Sequence, residues 1–156
     1  MTLTTSSARP STAARRFGYL VAVVVNAAIL VAVNAWPGWD VVPFLTEDMN
    51  SVIGVINAAT VAGLVANAVY LARDPAWLRA LGDIVTTAAG LVAIVRVWQV
   101  FPFDFGTSSF DWDVVFNVLI GVAAFGSAIG IIVGMVKLLQ AVVNEVDVHH
   151  GTPHPR

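Results

Sequence analysis

The 156-residue chain has no cysteine, which excludes disulfides, thiolate metal sites and dithiol redox chemistry in any compartment. Charge is scarce too: 12% of residues are charged, against roughly 25% in an ordinary soluble domain. Lysine occurs once, at Lys137, and histidine only near the C-terminus, at His149, His150 and His154. A formal net charge of −2 does not suggest nucleic-acid or polyanion binding, so no nucleic-acid partner is predicted. The long apolar runs hold no His, Glu or Cys, and Asp83 at one edge is their only Asp. No set of groups able to move protons or bind a metal is therefore predicted within them, and no cofactor.

What is present in quantity is apolar surface. Apolar residues make up 58% of the chain, and the few charges sit in short clusters between runs of about twenty apolar residues. Four spans are predicted, at about 17–35, 51–72, 83–101 and 114–139. In lipid every backbone polar group needs an internal partner, so these runs must be helices. The fold class is all-α, an integral membrane four-helix bundle within 15–145, flanked by disordered tails at 1–14 and 146–156. The first run also fits a signal peptide with Val33-Asn34-Ala35 as its cleavage site, but it exceeds the usual h-region of about 7–15 residues. Trp36-Pro37 ends the first span, Asp74-Pro75 the second and Pro102 the third, because proline cannot continue the helical ladder. Ala76 to Gly82 read as a short turn, and Asp83 as the cap of the third helix.

Arg9, Arg15, Arg16, Arg73, Arg79, Lys137 and Arg156 all fall on one side of this arrangement. The opposite side carries Asp40, Glu47, Asp48, Asp104, Asp111 and Asp113. The positive-inside rule makes the basic side cytoplasmic, with both termini inside a plasma membrane. Arginine preference with abundant alanine and valine fits a GC-rich bacterial genome. Aromatic residues crowd the acidic side, and alternation across Phe103-Asp104-Phe105 and Phe110-Asp111-Trp112-Asp113 predicts an aromatic cap built on a short β-hairpin. A faint echo pairs Asn50–Val55 with Asn117–Val122 and, at the same offset, Gly63 with Gly130, as in a duplicated helical hairpin.

Two sets of residues carry the functional expectations. Gly126, Gly130 and Gly134 recur every four residues on the fourth helix, and Gly54 opens a similar small-residue ladder on the second. Such faces let backbones approach closely, within the bundle or between copies. Arg96 lies inside the third span, and Asn26, Asn57 and Asn67 lie inside the first two. Arg96 is expected to pair with an acidic-side carboxylate such as Asp40, Glu47 or Asp104, and the amides to bond one another across helices. The tail histidines and the acidic-side aspartates lack the spacing of a metal site.

The same residues exclude familiar four-span classes. Small multidrug antiporters need a glutamate in the first helix, haem-carrying bundles need histidines within spans, and tetraspanins and quinone-linked disulfide enzymes need cysteines. The expected function is therefore non-enzymatic: a packing module, with the lipid bilayer and a homo-oligomer or membrane-protein partner as its contacts. A small channel or transporter with a polar path around Arg96 and the asparagines is the alternative.

Overall fold

A computed structural model describes residues 11–106 and 110–150, the last six of these by backbone alone. The chain is helical: α1 (Thr12–Asn34), α2 (Ile53–Ala72), α3 (Ala76–Val100) and α4 (Trp112–His150), with a short 3-10 helix at Glu47–Ser51. All four α-helices are long and apolar enough to cross a membrane.

Local chemistry sets the helix ends. Ser11 starts α1, its hydroxyl accepting from Ala14 N at 3.2 Å in place of the missing intrahelical carbonyl. Asp111 does the same at the start of α4, Oδ1 accepting from Val114 N at 3.4 Å. Arg73 is extended after the last turn of α2, and Pro75 forms the N-cap of α3. Ala76–Gly82 are thus the first two turns of α3 and not the turn expected from sequence, which moves Asp83 into the helix interior. Proline stops a helix behind it and fits the start of one ahead, so a single residue serves both helices. At the other end of α3, Phe101 takes the left-handed conformation (φ 48°) and Pro102 behind it is fully buried. The fourth helix continues beyond the expected limit of Glu145 to His150. Residues 1–10 and 151–156, expected as tails, lie outside the described residues.

No strand forms among the described residues. Phe103 makes an isolated antiparallel bridge with Leu45, and Trp112 already belongs to α4, so the expected hairpin is not the pairing present. Its turn at 107–109 lies outside the described residues. The rings assemble nonetheless: Phe103, Phe105 and Phe116 lie 4.8–6.1 Å apart between centroids, with Phe44 stacked on Phe105 at 5.7 Å.

Helices pack in chain order, α1 on α2, α2 on α3 and α3 on α4, and no other pair of the four packs to a comparable extent. The arrangement is a row, with α1 and α4 at its two ends. Burial is correspondingly thin. No residue of α1 is buried, and among the described residues the buried apolar side chains are Met49, Val52, Tyr70, Ala80, Ala93 and Pro102.

The pairs α1–α2 and α3–α4 each have their own close contact and amide hydrogen bond. Gly63 of α2 lies against Asn26 of α1, and Gly130 of α4 against Thr87 of α3. Near the acidic end, Asn57 bonds back to Asn34 across the first pair, and Asn117 accepts from Trp98 Nε1 at 3.0 Å across the second.

Candidate functional site

Polar groups within apolar helices are costly unless bonded, so their partners reveal their role. Asn34 and Asn57 form a reciprocal amide pair between α1 and α2, with N···O distances of 2.9 and 2.6 Å. Asn26 and Asn67 bond instead to carbonyls of their own helices, Ala22 O and Gly63 O, each at 2.7 Å. Thr60 does likewise with Ile56 O at 2.8 Å. One of the expected cross-helix amide contacts is thus formed, and two asparagines close their bonds locally.

Arg96 is joined to none of them. Its Nη1 donates to Gln99 Oε1 at 3.4 Å, three residues along the same helix, and among the described residues it forms no ion pair. The expected partnership with Asp40, Glu47 or Asp104 within the chain is absent. The reason is placement: Arg96 lies on the exposed face of α3 with Val85, Val92 and Gln99. The acidic residues belong to loops and to the ends of the short helix and α4.

The glycine ladder divides in two. A side chain on Gly134 would come within 2.8 Å of Ile84 Cγ1, and one on Gly130 within 3.5 Å of Thr87 Cγ2. Both glycines therefore bring α4 close to α3 of the same chain. Gly126 and Gly54 face open space, with nothing within 4 Å of a Cβ built there. They take no part in packing within the chain.

The densest polar cluster is at the basic end, and sequence reasoning missed it. Asp74, read as part of a helix stop, receives Arg15 Nε at 3.1 Å, Arg79 Nη1 and the Tyr19 hydroxyl at 3.0 Å. Its side chain is 15% exposed, against 35% and 31% for Arg15 and Arg79. Burial alone would push the Asp74 carboxyl up, but hydrogen bonds from Arg79, Tyr19 and Arg15 outweigh it and hold the carboxyl below its ordinary value of 3.8. Beside it the Tyr70 hydroxyl donates to Arg79 O at 3.1 Å and approaches Asp83 Oδ1 at 3.4 Å. Gly82 is required there, since a Cβ would collide with that hydroxyl and come within 2.8 Å of Tyr70 Cζ. The available signal was that the chain has only two tyrosines, and these two rings meet at 5.4 Å. The cluster ties α1 to the link between α2 and α3. With Asp74 bonded to Arg15, Arg79 and Tyr19 at once, it forms a latch between them.

Among the described residues no group of three or more His, Asp or Glu lies close enough to hold a metal ion. No protein-family model, curated protein or solved structure matches the chain.

Proposed function

We propose that the chain is a small multi-pass protein of the cell membrane whose role is assembly. Self-association, or entry into a larger membrane complex, is then its activity, with no chemistry of its own. The observation that carries this reading is packing in chain order, which leaves α1 and α4 with one helix neighbour each. Gly54 and Gly126, on faces that meet nothing, give further helices a close approach, which matters where lipid removes the hydrophobic drive for association. Both termini lie in the cytoplasm on this reading, because the basic residues flank one end of the row. The acidic, aromatic end then forms a cap at the outer headgroup zone. A channel around Arg96 has less support, since Arg96 bonds to Gln99 alone and the asparagines bond elsewhere.

The test is the mass of the full chain purified in mild detergent, with co-purifying proteins identified. An oligomer or a stable heteromeric complex is expected. A lone monomer across the accessible concentration range, with no partner retained, would remove this reading.

A further inference from the structure

Two opposite charges near the acidic end find no counter-charge among the described residues. Arg96 reaches only Gln99. Asp104 is exposed, its Oδ1 accepts from Gly106 N at 2.9 Å, and it is in no ion pair. Asp104 borders an open groove of about 540 Å³ whose walls include Phe44, Phe105 and Trp112. Phe44 and Trp112 both lie against Phe105, at centroid distances of 5.7 and 6.4 Å. Thr46 also lines the groove, its Oγ1 shut from solvent and without a hydrogen-bond partner.

A carboxylate beside aromatic faces recognises a cation with an apolar planar surface. The ring quadrupole attracts the charge and the carboxylate accepts the hydrogen bonds. Guanidinium fits this description better than ammonium, being planar, weakly hydrated and forked. The loops of the acidic end supply none, since 36–52 and 101–113 contain no Lys or Arg. The nearest guanidinium in the sequence is Arg96, and among the described residues it forms no ion pair.

We propose that Arg96 of one copy docks in the Asp104 groove of a second copy. The proposal rests on the self-association reading and names the contact that would perform it. Arg96 is five residues before Phe101, so its Cα is about 7.5 Å from that end of α3 at 1.5 Å rise per residue. An extended arginine covers such a distance by snorkelling towards the headgroup zone. Donor and acceptor surfaces differ, the face of α3 on one copy and loops with the start of α4 on the other. A two-fold pair makes this contact twice, and any other rotation repeats it head-to-tail into rings or open chains.

The experiment reads association of the full chain by light scattering in mild detergent across a concentration series. Arg96→Glu and Asp104→Arg should each weaken association by about tenfold or more, the loss expected when one partner of a desolvated ion pair is reversed. The double variant exchanges the two charges and should return to within about threefold of the starting protein. Trp112→Leu removes an aromatic face and keeps the carboxylate, so about a fivefold loss is expected. Circular dichroism checks that each variant is folded, and Arg96→Gln, with the same direction of effect, replaces Arg96→Glu if the latter fails to insert. Single variants that associate like the starting protein overturn the contact and leave self-association standing. Loss in both singles without recovery in the double, as when Arg96 meets a lipid phosphate, also overturns it. A monomeric starting protein overturns this contact and the assembly reading together.

Discussion

Replacing Gly126, Gly130 and Gly134 one at a time by alanine separates intrinsic helix preference from packing, because all three lie in the interior of α4. Each substitution gains the same propensity, about 1 kcal/mol by solution scales, and that term cancels between variants. What remains is the space each new methyl meets. At Gly126 it meets nothing within 4 Å, and at Gly130 an ordinary contact of 3.5 Å with Thr87 Cγ2. At Gly134, which is buried, it would stand 2.8 Å from Ile84 Cγ1. Carbon contacts are comfortable from about 3.5 Å, so helix or side chain must give by roughly 0.7 Å. Ile84 is β-branched and stiff at χ1, and the atom struck lies near its backbone, so the helices themselves must part. Overpacking of this kind costs about 1–3 kcal/mol. Gly134→Ala should therefore be about 1–3 kcal/mol less stable than Gly126→Ala, with Gly130→Ala within about 0.5 kcal/mol of Gly126→Ala. Unfolding by SDS in mixed micelles, followed by far-UV circular dichroism, measures the three against one another. Equal stability of the Gly126 and Gly134 variants would refute the close approach of α4 to α3.

Asp74→Asn keeps the shape of the latch but removes its charge. With both arginines about a third exposed and partly screened, a loss of about 1–3 kcal/mol is expected. Because the Asp74 carboxyl is held below 3.8, its stabilisation is present above that pH and lost as pH falls through the lowered value. The gap between the starting protein and Asp74→Asn in the same SDS assay should thus be constant from pH 7 to 5 and shrink below about 3.8; a gap that shrinks near neutrality would contradict it. With no native cysteine, single cysteines at Ser7, Ala76 and Ser108 report topology through an impermeant thiol reagent in intact cells. Labelling at position 108 alone is expected, and labelling at 7 or 76 would reverse the orientation.

The helices were readable because lipid imposes a coarse rule, a run of about twenty apolar residues with charge at its ends. Where the rule lapses, so does the reading. Trp77 and Arg79 broke the apolar pattern and disguised the first two turns of α3, although Pro75 ahead of them suits a helix start. Asp74 was visible as punctuation but not as the partner of Arg15, which is 59 residues away. Periodicity describes one element at a time and carries no information about pairs. The same limit explains Arg96, whose place within the third helix was legible while its exposed face on α3 was not. Among the glycines, spacing marked the whole ladder alike, and only the position of α3 distinguishes Gly134 from Gly126.

Packing between successive helices alone has a consequence for how the protein is made. Each helix finds its main partner in the segment that immediately precedes it, so assembly can keep pace with synthesis. The first hairpin is complete at Ala72, while α4 ends at His150, some 78 residues later. At about 5–20 residues per second that interval is roughly 4–16 s. Through it, the pair α1–α2 must hold together without the second hairpin, on the Asn34–Asn57 amides at one end and the Arg15–Asp74 bond at the other. Arg79 reaches Asp74 only five residues later in the chain, so the first turns of the new helix can be fastened to the finished hairpin as soon as they emerge.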